Sequence, residues 1–368
     1  MYRQTYLEIN LNNLESNYNF LKKFTNKKIM AVVKANAYGI GEVTSAKFLE
    51  ALGCDFFAVS SLDEAINLRN SGIKADILIL GHTDSSDFDL VIKKNIIVTI
   101  HDLKQLVKIP SSLRVHLKID TGLNRIGFKD LVELKRALNV LKENNAKIEG
   151  IFSHYVMSDI KDHPYSLKQF ELFKEMVLAL DFNFKYIHIA NSDGLFNLPE
   201  DFTNLVRPGL ALLGYSKFTN DLKPVLALYS HISKIKKIGS GEGVSYNHRF
   251  ISDKDSYLIT VPIGYADGIS RSNTNGVVYI KDSFHSIVGS VCMDQMMIES
   301  SVYYDVNTRV EIIGEHIDIN KYASYNKLVL REVLTGLNDR ITRKYYYNNR
   351  LYTTSNNHFN FIREGINE

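Results

Sequence analysis

"MAVVKANAYGIG", residues 30–41, begins as an apolar strand, halts at Lys34 and runs out into small residues. Runs of the same kind recur down the chain: "IMAVVK" (29–34), "DFFAV" (55–59), "DILIL" (76–80), "IIVTI" (96–100), "LRVHLKI" (113–119), "IEGIFS" (148–153), "YIHI" (186–189) and "NLVRPGLALLG" (204–214). Between them lie amphipathic segments such as "EVTSAKFLEALG" and "SLDEAINLRNSG", which end at glycine as helices do, and residues 165–180 follow suit. Eight strand-then-helix units before residue 225 imply a parallel sheet. A length near the ~250 residues usual for a barrel favours a (β/α)8 TIM-type barrel over an open doubly wound sheet. From about residue 225 the texture changes to strand-like runs with turns, and only 327–337 looks helical. The expected organisation is therefore an α/β barrel over 1–224 followed by a mostly β domain over 225–368.

Bulk composition narrows the class of partner. Hydrophobic residues make up 45% of the 368 and charged residues 23%, as in soluble globular proteins. The net charge is +3 with no basic block, which gives no case for nucleic acid or a membrane surface. Cys54 and Cys292 are too few for a disulfide framework and suit a reducing compartment. The start of the chain lacks the apolar core of a signal peptide, and no window approaches the ~18 apolar residues of a membrane span. A cytoplasmic location is expected, and no metal site.

A barrel gathers its chemistry at the C-terminal ends of its strands. Lys34 ends the first. Lys118 and Asp120 close the fifth, followed by "TGLNRIG" with Arg125. His154 follows the sixth, Asn191 and Ser192 the seventh, and Arg207 lies in the eighth unit before "PGL". Loops seven and eight usually form a barrel's phosphate site, and Ser192 with the backbone at Gly209 and Leu210 suits that role. A phosphate facing a lysine suggests pyridoxal phosphate, whose aldehyde needs a lysine Schiff base. Singly, each residue has a plainer reading. Lys34 could be solvated, His154 a core histidine, Arg125 and Arg207 ion-pair residues, "RPGL" a turn and Tyr246 a packing residue. Lys118 is harder to dismiss, because a buried ammonium is costly without a partner.

The motifs "AVVKANAYGIG", "HLKIDTGLNRIGF", "HIANSDG", "VRPGLALLGY", "GEGVSYN", "PIGYADG" and "VGSVCMDQ" occur in this order, and the chain resembles alanine racemase over nearly its whole length. The resemblance implies a pyridoxal-phosphate isomerase that interconverts L- and D-alanine by two-base proton transfer and supplies D-alanine for peptidoglycan. It implies a homodimer in which the β domain of one subunit completes the site of the other. Lys34 would be the Schiff-base lysine and one catalyst, and Tyr246 of the partner subunit the other. Tyr38, Asn191, Ser192, Gly209 and Leu210 would surround the phosphate. Arg207 would face the ring nitrogen with His154 behind it. Arg125 would contact cofactor and substrate carboxylate, the Met293 backbone N–H would meet that carboxylate, and Tyr265 would line the entrance. Lys118 matches a lysine often carboxylated on its amine. Three positions depart from the family pattern: Ile40 for a histidine, Asn124 for a glycine and Asp339 for a tyrosine of some members. A racemase of broader specificity, acting on serine or larger amino acids, is the nearest alternative. A non-catalytic pyridoxal-phosphate carrier is a more distant one, since such carriers resemble the barrel alone.

Overall fold

The computed structural model describes residues 3–198, 201–271, 273 and 276–356. They fall into two compact units. One comprises Asn13–Tyr38 and Glu42–Pro224; the other comprises Met1–Asn12, Gly39–Gly41 and Val225–Glu368.

In the first unit seven strands run parallel and neighbour one another in chain order: Ala31–Val32, Phe56–Val59, Asp76–Ile79, Ile97–Ile100, Arg114–Lys118, Lys147–Phe152 and Tyr186–His188. An eighth, Leu205–Val206, pairs in parallel with Lys28–Ile29. The Asn204 and Arg207 N–H groups donate to the Ile187 and Ala190 carbonyls at 3.0 and 3.1 Å, tying the eighth strand to the seventh. Met30 and Val32 donate to the Val206 and Pro208 carbonyls, both at 2.9 Å, tying it to the first. The sheet thus closes into a barrel, filled by Met30, Val32, Phe56, Ala58, Leu78, Ile97, Tyr186 and Leu205.

Local chemistry sets the helices between strands. Ser61 caps Leu62–Asn70, Asp130 caps Leu131–Glu143, and His163 caps Pro164–Leu178 with proline in the first turn. The expected eight strand-helix units are not all complete. After the fourth strand only a 3-10 turn forms, Leu103–Leu106, because the short connection is broken by Pro110. The eighth run forms a strand only over Leu205–Val206, since Pro208 has no N–H to continue a ladder.

The second unit is built on a ten-stranded sheet. Its order is Lys234–Ile238, Ser256–Val261, Met296–Ser300, Ser283–Val288, Val277–Ile280, Arg309–Ile313, Leu226–His231, Tyr6–Asn10, Thr342–Tyr347 and Arg350–Ser355. Tyr6–Asn10, which the sequence puts with the barrel, lies inside this sheet. It runs antiparallel to Leu226–His231 and parallel to Thr342–Tyr347. Two helices, Ile319–Asn326 and Leu330–Gly336, complete the unit. Among the described residues no helix is long and apolar enough to cross a membrane.

Candidate active site

Lys34 opens a turn of unusual hand. Ala35, Asn36, Ala37 and Tyr38 all have φ between 51° and 55°, a left-handed helical turn made without glycine. Such geometry costs ~1–2 kcal/mol per L-residue, so the surroundings must impose it. Glu64 accepts from the Ala35 N–H at 2.7 Å and from the Ser60 N–H at 2.6 Å. The Asn36 side chain accepts from the Glu42 N–H at 2.9 Å. The turn holds Lys34 half-buried at the end of the first strand and packs Tyr38 on the barrel core.

Beside this turn, the Ser192 hydroxyl accepts from the Gly209 and Ala211 N–H groups at 3.0 and 3.1 Å. A Cβ at Gly209 would lie 2.6 Å from the Tyr38 hydroxyl, so only glycine permits this approach. Two hydroxyls and the backbone amides of Gly209 and Ala211 therefore converge, the composition of an anion cradle. Asn191 accepts from the Gly194 N–H at 2.9 Å and shapes the adjoining turn, and Leu210 is buried beside it.

Arg207 is buried, and its partners fix their own protonation. Arginine only donates. Nη1 therefore donates to His188 Nδ1 at 2.7 Å, and Nη2 to His154 Nδ1 at 3.1 Å and to the Ser153 and Ile189 carbonyls. His188 then carries its proton on Nε2 and gives it to His116 Nδ1 at 2.9 Å. Burial, reinforced by Arg207, pushes His154 and His188 well below the usual imidazole range, and burial with Arg114 lowers His116 to about 3. All three are neutral at physiological pH. The row ends at His116 Nε2, which has no partner among the described residues.

Lys118 is buried with its ammonium 4.6 Å from the Phe152 ring centroid, while the Arg207 guanidinium lies 5.3 Å from the same ring. Desolvation, then repulsion from Arg207 and Arg125, lowers its pKa to about 7. Arg125 itself is exposed, on a loop that Asp120 builds by accepting from the Gly122 and Asn124 N–H groups, both at 3.0 Å. Asn124 has φ 57°, a conformation that glycine adopts freely and asparagine tolerates.

The other sequence-selected residues belong to the second unit. Tyr246, Tyr265 and Met293 are 64%, 40% and 53% exposed. The Tyr265 and Ala266 N–H groups donate to the Cys292 and Met293 carbonyls at 3.0 and 2.9 Å, joining two of these loops. Ser245, beside Tyr246, donates to the Ser290 carbonyl at 2.7 Å. Ile40 is buried and its carbonyl accepts from the Tyr345 hydroxyl at 2.7 Å. Asp339 pairs with buried Arg343 at 3.0 Å, so it serves as a counterion there. Sequence reasoning missed His116 and His188. Strand alternation was the available signal, since His116 and Lys118 share a face of Arg114–Lys118. No group of three or more metal-ligating side chains occurs among the described residues.

A closed barrel presenting a lysine, an anion cradle and a buried arginine, in one chain with a mostly β unit, defines a class: a barrel enzyme equipped to hold an anionic group opposite an amine. Residues 9–217 match the family model for the alanine racemase N-terminal domain, and residues 225–345 that for its C-terminal domain. An alanine racemase of Staphylococcus epidermidis is 36% identical, covering 96% of this chain and 98% of its own. Alanine racemase 1 of Bacillus subtilis is 34% identical, covering 96% of each. The crystal structure of a Bacillus anthracis alanine racemase with bound L-Ala-P superimposes with a TM-score of 0.93 at 30% identity over 99% of both chains. The chain belongs to the alanine racemase family.

Proposed function

We propose that this chain racemises alanine by passing the α-proton between two side chains on opposite faces of the substrate, Lys34 of one protomer and Tyr246 of the partner subunit. Family membership supports the reaction. The observation that supports the cofactor site is the buried Arg207 guanidinium, which donates to His188 and His154.

The residues fit pyridoxal phosphate. Ser192, the 209–211 backbone and the Tyr38 hydroxyl form a cradle for its phosphate, and Lys34 is the amine for its aldehyde. When bound, the cofactor supplies an electron sink that acidifies the α-proton of an amino acid. Arg207, a permanent cation, would face the ring nitrogen of the bound cofactor and would keep a proton off it. That would limit the sink and favour returning the proton to the α-carbon over a wrong carbon. Lys34 Nζ takes or gives the proton on one face, and Tyr246 Oη does so on the other, so the substrate need not turn. Arg125 and the Met293 backbone N–H orient the carboxylate. The exposure of Tyr246, Tyr265 and Met293 supports a homodimer in which these side chains meet a second copy. A supply of D-alanine for peptidoglycan, from a cytoplasmic location, rests on family membership. Assaying a panel of L-amino acids tests the reading: alanine should be converted fastest, and failure to convert it would overturn the proposal.

Two smaller predictions follow from the geometry. Gly209→Ala forces a Cβ against Tyr38 and should weaken pyridoxal phosphate binding by about tenfold or more, measured by titrating the apoprotein. Lys118, with a pKa of about 7, offers a neutral amine that can add to carbon dioxide, forming a carbamate and releasing a proton. The resulting anion would pair with Arg125. The unmodified lysine has a distinct signature. Its folded pKa lies below its unfolded 10.5, so between about pH 7 and 10.5 the unfolded state binds more protons and stability rises with pH. Urea midpoints in carbon-dioxide-free buffer should show this slope, and Lys118→Met should flatten it.

A further inference from the structure

The second unit contains an ionic cluster around one buried carboxylate that neither base nor cofactor explains. Asp267 is fully buried, and both oxygens receive Arg3, at 2.6 Å each. Its Oδ2 also accepts from the Gly264 N–H at 3.0 Å, and Arg3 Nη2 donates to the Pro262 carbonyl at 2.8 Å. Arg340 Nε lies 3.6 Å from Asp267, and Arg340 Nη2 reaches Asp294 at 2.7 Å. These carboxylates sit beside the residues of interest: Asp267 closes the turn Tyr265–Asp267, and Asp294 follows Met293. Turn and loop are also fused through their backbones. A Cβ at Gly264 would lie 2.3 Å from the Cys292 and Met293 carbonyl oxygens, and Asn338 donates to the Ala266 carbonyl at 2.6 Å.

A bidentate guanidinium-carboxylate pair fixes orientation as well as distance. A turn needing only a cap would be served by a neutral side chain, without the desolvation of a buried charge. What this pair supports is exposed: Tyr265 and Met293 project from a base whose charges are locked. We propose that Arg3 and Asp267, extended through Arg340 to Asp294, form a positioning clamp. It sets the Tyr265 side chain and the Met293 backbone N–H in register for the substrate carboxylate. The inference rests on the function proposed above. It makes residue 3, far from the catalytic bases in sequence, a determinant of substrate affinity.

The test uses Arg3→Ala in the full-length holoenzyme. KM for alanine should rise about tenfold or more with a smaller change in kcat, cofactor absorbance should be retained, and millimolar guanidinium should lower KM again. An unchanged KM would overturn the clamp. So would kcat, KM and melting temperature worsening together without guanidinium rescue, which marks a structural role alone. A second readout does not depend on activity. The chain has no tryptophan, so Tyr265→Trp introduces a single indole reporter. Adding Arg3→Ala should increase its acrylamide quenching, reversibly with guanidinium, and unaltered quenching would refute the clamp. Absence of alanine racemisation in the wild type would instead sink the proposed function.

Discussion

Lys34→Ala is expected to lower alanine racemisation by about four orders of magnitude or more, because one change removes a proton carrier and the amine that holds the cofactor. The purified variant should also lose the visible absorption of the lysine-linked cofactor. The left-handed turn sharpens the expectation. Its backbone is fixed by Glu64, Asn36 and the strand before it, none of which involves the Lys34 side chain, so the variant should keep its fold. Circular dichroism and melting temperature close to wild type, with activity gone, would separate chemistry from stability. A colourless variant that still racemised alanine normally would overturn the role of Lys34.

Tyr246→Phe should lower kcat by about 10²–10⁴ while leaving the cofactor bound, since only a hydroxyl is removed from an exposed side chain. The loss should be one-sided. In deuterated water, α-proton exchange should persist for the alanine enantiomer whose proton faces Lys34 and nearly vanish for the other. Equal small effects on both would refute the two-base scheme. A mixing experiment probes the shared site. Neither Lys34→Ala nor Tyr246→Phe homodimers hold an intact pair, but a heterodimer of the two holds one. A random mixture should therefore regain about a quarter of wild-type activity. Demonstrated heterodimers without recovery would count against composite sites.

The barrel was legible because its strands are unbroken apolar runs, a pattern that needs no knowledge of distant partners. Functional groups at strand ends followed from that. What stayed hidden depends on three-dimensional context. "KANAY" is rich in alanine, which favours a right-handed helix, and only Glu64 and Asn36 reveal why the chain winds the other way. The histidine row behind Arg207 joins residues 72 positions apart, His116 and His188, whose strands flank Lys147–Phe152 in the sheet. Each looked like an ordinary strand residue. Tyr6–Asn10 alternates like any half-buried strand, and nothing local marks which sheet it joins. By contrast, Asn124 stood out as a departure in the sequence and became an ordinary solution once its positive φ was visible.

The placement of Tyr6–Asn10 has a consequence for biogenesis. Its ladder partners come far later in the chain, Leu226 beside Ile9 on one flank and Tyr345 beside Ile9 on the other. Until Leu226–His231 has been made this strand has no edge to join, and its apolar face must wait while the intervening parallel sheet assembles. The β unit cannot condense until Thr342–Tyr347 has been made. Expressing residues from 225 onward alone would leave a central gap in the sheet, a slot that a synthetic peptide spanning residues 3–12 should fill.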